Sequence, residues 1–283
     1  MNNICIVIRL CLQNFKRWIS NPRIYFIGIL LTVYISSVVF PLVSFCYSVE
    51  TSITPWLFPL LTSNQEGLII FTACIILLFC DAPFLDSTQP FYIIRSGRQK
   101  WILAQILYIF LASILFFTFI YLVSTIILFP VTHWQMDWGK IFYTLSLTDA
   151  RTMFQIPLMI PYEILKIYSP IQAFGLSFLL NVLVSTFLGL LIFTINLKLS
   201  KIMGSIVAAA PTLLTSTIFF NDFFLIYYIP VAWASLDKID ITGTQLLPSL
   251  PYVLTVLISL IVLLSILSFL FFRKKAIEIS PQI

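Results

Sequence analysis

The sequence predicts an all-α integral membrane protein with six transmembrane helices, and three observations support this fold class. Of its 283 residues, 60% are hydrophobic and only 10% are charged, with a mean hydropathy of +1.04. Soluble domains carry about 25% charged residues. Several apolar stretches reach the roughly 20 residues that cross about 30 Å of hydrocarbon. The third observation is that the basic residues gather at alternate ends of these stretches.

Residues 2–20 predict an amphipathic helix that lies along the membrane surface. Apolar side chains at positions 4, 7, 8, 11, 15, 18 and 19 share one helical face, and Arg9, Lys16 and Arg17 lie opposite. Such a helix lies in the headgroup plane, with its basic side toward anionic lipid. The pair Asn21-Pro22 ends it, because the residue before a proline disfavours the helical conformation.

Six apolar segments predict the membrane spans, at residues 24–45, 68–85, 102–129, 171–197, 202–220 and 250–272. A further apolar stretch at 223–234 is too short to cross and is interrupted by Pro230. We expect it to be re-entrant or interfacial, a state that a bilayer tolerates only where protein buries the irregular backbone. The outer loop at 130–170 carries charges throughout and therefore should not cross.

The distribution of Lys and Arg predicts that both termini are cytoplasmic. With six spans, twelve of the 16 Lys and Arg residues lie on the inner side and four on the outer side. A seventh span at 223–234 would move the basic run 273–275 outside. Because the cations flank membrane spans, the net charge of +5 does not indicate a nucleic-acid partner. The acidic residues assigned to the outer side are Glu50, Glu66, Asp137, Asp149, Glu163, Asp237 and Asp240.

A short charged loop at residues 81–101 joins the second and third predicted spans. Its cations satisfy the topology rule, which is one explanation for them. Topology requires neither its acids nor its two prolines, and these favour a docking element for a cytoplasmic partner. Trp101 marks the return of the chain to the interface. The candidate coupling residues are Asp81, Asp86, Arg95, Ser96, Gly97, Arg98, Lys100 and Trp101.

Two predicted spans carry small or polar residues at every fourth position. Residues at i and i+4 share a helix face, and small residues let membrane helices approach closely. One interpretation is therefore plain helix packing, and the other is the lining of a central path with Asn181 as its most polar point. The positions are Ser177, Asn181, Ser185 and Gly189 in the fourth span and Gly204, Ala208, Thr212 and Ser216 in the fifth.

The motifs of membrane enzymes are missing from the sequence. His133 is the only histidine and lies in the outer loop, and no HExxH motif occurs. The spans offer no paired acids for acid–base chemistry and no relay of buried acids for a proton-coupled carrier. A phosphate-binding GxxxxGK(S/T) loop is also missing. We therefore expect a transport subunit with no catalytic, cofactor or metal site of its own, rather than an enzyme.

In the order of these features the chain resembles the permease subunit of bacterial type-2 ABC exporters. The resemblance covers essentially the whole chain, and layout carries it more than individual motifs. It consists of the basic helix at 2–20, six spans with both ends inside, the inner loop ending in IIRSGRQKW and the broken stretch FFLIYYIPVAWA. The loop at 81–101 would then hold the coupling helix, residues 2–20 the connecting helix and 223–234 the outer re-entrant helices.

The resemblance also implies an assembly in the bacterial cytoplasmic membrane. Separate ATPase subunits are expected to bind ATP and Mg, and a second permease copy or a homologous permease completes the unit. Few fixed charges in the spans favour a hydrophobic or amphipathic cargo, such as a peptide, an antimicrobial or a lipid-like molecule. An ATP-independent channel or secondary carrier is the alternative.

Overall fold

The computed structural model describes residues 3–83, 89–199, 202–218, 223–240 and 247–274. Within these ranges the chain is helical, and it forms no β-strand beyond two isolated bridges, Ile53 with Thr132 and Asp240 with Ser249. The predicted all-α class is confirmed for this part of the chain. The reason is that long apolar stretches satisfy their backbone hydrogen bonds internally as helices.

The α-helices are numbered in chain order. They are α1 (Asn3–Lys16), α2 (Pro22–Ser48), α3 (Phe58–Ser63), α4 (Gln65–Phe79), α5 (Gln89–Ser96), α6 (Arg98–Leu128), α7 (Gly139–Leu147), α8 (Ala150–Met153), α9 (Tyr162–Ile167), α10 (Pro170–Lys198), α11 (Met203–Ile218) and α12 (Leu250–Lys274). Short 3₁₀ helices cover Arg17–Ser20, Phe129–Val131, Phe223–Tyr227, Pro230–Ala234 and Leu236–Lys238.

Among the described residues, four helices are long and apolar enough to cross a membrane, namely α2, α6 with its 3₁₀ extension, α10 and α12. The chain is accordingly a membrane protein. Of the helices at the other two predicted spans, α4 has 15 residues, and 16 residues of α11 are described, up to the gap at 219–222. At 1.5 Å per residue α4 is about 23 Å long, which is less than the roughly 30 Å of the hydrocarbon core.

The second predicted span, 68–85, differs from the helix that forms. Helix α4 begins three residues earlier, and α3 precedes it with only Asn64 between them, in an extended conformation. Helix α4 ends at Phe79, four residues before Pro83, because proline has no backbone N–H to donate to the Phe79 carbonyl. The chain is therefore helical from Phe58 to Phe79 with one break.

Helix α10 lies at the centre of the fold, in contact with α3, α4, α6, α11, α12 and the segment Pro230–Ala234. In its most apolar window 72% of the residues are buried, against 22% in α12. A Cβ atom on Gly189 would lie 2.6 Å from Ile109 Cγ2 and 2.9 Å from Phe79 Cδ2. Glycine at this position therefore lets α10 approach α4 and α6 closely.

Helix α1 packs against α6 rather than contacting lipid alone. Asn14 Nδ2 donates to Gln105 Oε1 at 2.9 Å, and Trp18 Nε1 donates to the Tyr108 hydroxyl at 2.8 Å. Each bond joins two polar side chains inside an otherwise apolar contact. The bonds therefore fix the register of α1, and of the 3₁₀ helix that follows it, on α6. The exposed apolar side chains of α1 are Ile4, Ile8 and Leu12.

The loop at 130–170 folds into α7, α8 and α9 and covers the α2–α3 connection. Trp138 Nε1 donates to the Tyr168 carbonyl at 2.9 Å, and the Thr54 hydroxyl donates to the Trp138 carbonyl at 2.9 Å. Burial raises the pKa of Tyr168 to about 12. Buried hydrogen bonds of this kind give the loop a defined structure without a transmembrane helix.

Candidate functional site

The charged loop predicted at 81–101 contains an eight-residue helix, α5. Gly97 separates α5 from α6 and has a φ angle of +87°, a conformation that side chains disfavour. Ser96 Oγ donates to the Tyr92 carbonyl at 2.6 Å and satisfies a carbonyl near the end of the helix. The loop is therefore a helix followed by a sharp turn into α6.

Helix α5 exposes both apolar and basic side chains. Phe91 and Ile94 are 70% and 71% exposed, whereas Ile93 is buried against the rest of the fold. Arg95 and Arg98 are also exposed. We call Phe91, Ile94, Arg95 and Arg98 the α5 surface. The charge pattern of the sequence indicated the two arginines, whereas the apolar pair Phe91 and Ile94 was recognisable only by its i, i+3 spacing.

The remaining coupling candidates lie in different surroundings. Asp81 Oδ2 lies 2.6 Å from Arg23 Nη1, so this carboxylate joins the end of α4 to the start of α2. Gly97 is exposed and Ser96 and Lys100 are half-buried. Trp101 is fully buried, and its ring stacks on Phe272 of α12 with centroids 4.8 Å apart. Asp86 lies outside the described residues.

Burial prevents Trp101 from contacting a partner protein. The sequence predicts that this side chain marks the return of the chain to the membrane interface. Its ring fills the space between α6, α10 and α12, with its centroid 6.3 Å from that of Phe193. Trp101 therefore anchors the first turn of α6 to the core.

A buried amide links the α4–α5 connection to α10 and α11. Asn196 Nδ2 donates to the Ala82 carbonyl at 2.7 Å, and Asn196 Oδ1 accepts from the Gly204 backbone nitrogen at 2.8 Å. Asn196 is 2% exposed, so these bonds form away from solvent. Sequence analysis missed this residue, although an amide inside an apolar helix was a signal for buried hydrogen bonding.

The polar stripe on α10 contacts other parts of the chain. Asn181 Nδ2 donates to the Ser177 carbonyl at 2.8 Å and to the Ala234 carbonyl at 2.9 Å. The Ser185 hydroxyl donates to the Ser113 hydroxyl at 2.9 Å. Ser177, Asn181 and Ser185 are all buried. Together with the close approach at Gly189, these contacts favour the packing interpretation of the stripe.

The stripe on α11 has the same arrangement where it is described. Gly204, Ala208 and Thr212 lie on the buried face of the helix. A Cβ atom on Gly204 would lie 2.5 Å from both Asn196 Oδ1 and the Ile192 carbonyl oxygen. These small residues thus allow α11 to pack closely against α10. The side chain of Ser216 lies outside the described residues.

The break between α3 and α4 is filled by the segment that follows Pro230–Ala234. The Ser235 hydroxyl donates to the Ser63 carbonyl at 3.2 Å, and the Leu236 backbone nitrogen donates to Ser63 Oγ at 3.3 Å. The first bond satisfies the Ser63 carbonyl, which the break in the helix leaves free, and the second satisfies the Leu236 backbone nitrogen. The amide nitrogen of Asn64 is buried and has no hydrogen-bond partner among the described residues.

Of the basic residues predicted for the interfacial helix, Arg9 and Lys16 of α1 are exposed, and Arg17, in the 3₁₀ helix that follows, is half-buried. Within the described ranges, no group of three or more His, Cys, Asp or Glu side chains could hold a metal ion.

In comparisons with known proteins, the chain matches no protein-family model, no curated protein and no solved structure.

Proposed function

We propose that this chain is the permease subunit of an ATP-driven exporter of the type-2 ABC class, in the cytoplasmic membrane of a bacterium. In this proposal α2, α4, α6, α10, α11 and α12 cross the membrane, and both termini are cytoplasmic. Helix α4 reaches across with the help of α3, and the segment 223–234 is re-entrant from the outer side. The proposal is supported by the sequence layout and by one structural feature, the α5 surface.

The α5 surface suits a protein partner better than lipid or water alone. Two apolar side chains with 70% exposure lie on the same short helix as Arg95 and beside Arg98. Interfaces combine an apolar centre with polar surroundings, and aromatic and arginine side chains dominate their binding energy. We propose that this surface docks into an ATPase subunit, which holds ATP and Mg.

Movement of α5 would reach the membrane helices through two contacts. The ion pair between Asp81 and Arg23 joins the start of the α5 connection to α2. The bonds of Asn196 to Ala82 and Gly204 join the same connection to α10 and α11. A displacement of the docked helix is therefore passed to α10 and α11 together, because the Asn196 bonds that join them to the α5 connection are buried and short.

Transport then follows from two packings of the membrane helices. ATP binding in the partner favours one packing and hydrolysis restores the other, with a second permease copy or a homologue forming the opposite wall. Cargo moves only if its affinity differs between the two packings. The chain itself performs no covalent chemistry in this scheme.

The test is affinity purification of the tagged chain from its native cells, followed by measurement of ATP hydrolysis in the purified membrane complex. We expect an ATPase to co-purify, and we expect Arg95→Glu with Arg98→Glu to remove it. The control is Lys140→Glu with Lys166→Glu, which reverses two exposed charges of the outer loop. Full ATPase association in the α5 double variant contradicts the docking proposal. Cargo transport by the chain alone in liposomes would favour the alternative, an ATP-independent channel or carrier.

A further inference from the structure

A groove lies between α2 and α6 on the surface of the helical bundle. It runs along α2 from Ile24 to Val33, is bounded by Phe119 of α6 and has a volume of about 400 Å³. Gly28 forms its floor, because a Cβ atom built on this residue would meet no atom within 4 Å. From Ile24 to Val33 the helix rises about 14 Å, which is close to half of the roughly 30 Å hydrocarbon core. The groove therefore matches the reach of one acyl chain in one leaflet.

The surface that the groove presents is apolar, although two of its residues carry hydroxyl groups. The Thr32 hydroxyl donates to the Gly28 carbonyl at 2.8 Å, and the Tyr25 hydroxyl donates to the Ile19 carbonyl at 2.9 Å. The Tyr25 side chain is nevertheless more than half exposed, as is that of Ile29. Because both hydroxyl groups donate within the chain, a ligand in the groove is held by contact with hydrocarbon side chains.

The segment 16–20 lies at one end of the groove and joins its two walls. Trp18 Nε1 donates to the Tyr108 hydroxyl of α6 at 2.8 Å. The next residue, Ile19, accepts the hydrogen bond from Tyr25 of α2 through its carbonyl oxygen. The end of α1 and the 3₁₀ helix that follows it are therefore held against both α2 and α6 where the groove begins.

Lys16 places a positive charge at this end of the groove. Its side chain is exposed and forms no ion pair with any described residue, and Arg17 follows it. Helix α2 has 27 residues and is about 40 Å long, which is close to the thickness of a bilayer with its headgroups. The start of α2 therefore reaches the headgroup region, where Lys and Arg side chains attract anionic lipids.

We propose that this groove binds one anionic phospholipid, with an acyl chain along α2 from Ile24 to Val33 and the headgroup phosphate beside Lys16. A single lipid molecule satisfies both the apolar groove and the adjoining positive charge. The bound lipid contacts α2, α6 and the end of α1 at once, and thereby holds α1 against the membrane helices. This inference goes beyond the proposed function and does not depend on it, because lipid binding needs neither an ATPase nor a cargo.

The charge of the headgroup is tested with two lipids that have the same acyl chains, dioleoylphosphatidylglycerol and dioleoylphosphatidylcholine. Each is titrated into the purified, delipidated full chain in detergent, and the first bound lipid is measured by native mass spectrometry. We expect the wild type to bind the anionic lipid about fivefold more tightly, which is the contribution of one cation near a membrane surface. Lys16→Gln should abolish this preference. The control Lys166→Gln, at an exposed position of α9, should retain it.

The groove itself is tested by filling its floor. We expect Gly28→Leu to weaken binding of both lipids about tenfold, because the added side chain occupies the space of the acyl chain. Gly175→Leu is the matched control, since a Cβ atom on this exposed glycine of α10 also meets nothing within 4 Å, and it should leave both affinities unchanged. Should Gly28→Leu fail to fold, the surface change Lys16→Gln still tests the site.

Equal affinity of the wild type for the two lipids would overturn the proposal, as would wild-type affinities in Gly28→Leu. An equal loss of lipid preference in Lys16→Gln and Lys166→Gln would also overturn it, because the preference would then belong to the whole surface. The same spectra report the number of chains in each particle. Conversion of a dimer into monomers by Gly28→Leu, with unchanged lipid binding, would assign the groove to a contact between two copies instead.

Discussion

The side-chain nitrogen of Asn196 and the carbonyl oxygen of Ala82 lie 2.7 Å apart, which joins the last turn of α10 to the connection that leads to α5. The same amide accepts a hydrogen bond from Gly204 at the start of α11. One buried side chain thus holds three segments together at a single end of the fold. Its removal tests both stability and the proposed transmission of movement.

Asn196→Ala is expected to lower the free energy of unfolding by about 1–3 kcal/mol, because it leaves buried backbone groups at Ala82 and Gly204 unsatisfied. Thermal unfolding in detergent, followed by tryptophan fluorescence, measures the loss. Asn3→Ala, at an exposed position of α1, is the control and should leave the transition unchanged. An equal transition for both variants would show that the Asn196 bonds contribute little.

The two glycines of α10 give a matched pair for the packing interpretation of the small-residue stripe. Gly189→Ala places a Cβ atom 2.6 Å from Ile109 and is expected to destabilise the protein by about 1–3 kcal/mol. Gly175→Ala meets nothing within 4 Å and should stabilise the helix by up to about 1 kcal/mol. Denaturation of both variants in the same detergent measures the difference, and stabilisation by Gly189→Ala would contradict the close approach.

Much of the fold was predictable because a long apolar stretch in a membrane satisfies its own backbone hydrogen bonds by forming a helix. Helices α2, α6, α10 and α12 therefore lie within a few residues of the predicted spans. The break at Asn64 was not predictable from hydropathy. There the Ser63 carbonyl accepts from the Ser235 hydroxyl and the Ser63 hydroxyl accepts from the Leu236 backbone nitrogen, more than 170 residues away in sequence, and such long-range bonds leave no local pattern.

In the candidate site, too, the surface charges were predictable from the sequence, whereas the contacts between distant segments were not. The charges of Arg95 and Arg98 were visible in the sequence and lie at the surface, as charge dictates. The role of Asn196 depends on which segments lie beside it, so hydropathy gave no indication of it. The burial of Trp101 against α12 likewise depends on which helix lies beside it, and residue type alone does not predict it.

Trp101 is expected to contribute strongly to the free energy of unfolding, because its buried ring joins the first turn of α6 to α12. Trp101→Ala removes a fully buried ring stacked on Phe272 and should lower the free energy of unfolding by about 3–5 kcal/mol. Trp134→Ala is the control, because that side chain is 64% exposed. A similar midpoint for the two variants in a denaturant titration would contradict the stacking contact.

Cysteine reactivity tests the packing of α1 on α6. Burial raises the pKa of Cys11 to about 11, from an ordinary thiol value near 9. At pH 8 the reactive thiolate fraction is therefore about a hundredfold lower, and the labelling rate should rise with pH up to about 11. Single-cysteine chains compare Cys11 with the partly exposed Cys5 of the same helix. Equal labelling rates at pH 8 would show that α1 is detached from α6.

The proposed orientation makes a final prediction about access from the two sides of the membrane. In a chain without native cysteines, Gln99→Cys lies at the exposed start of α6 and Met153→Cys at the exposed end of α8. A membrane-impermeant maleimide added to intact cells should label position 153 and leave position 99 unlabelled until the cells are opened. The reason is that the basic loop containing position 99 follows the positive-inside rule, whereas α8 belongs to the outer loop. Labelling of position 99 in intact cells would place α5 outside, where no ATPase could dock.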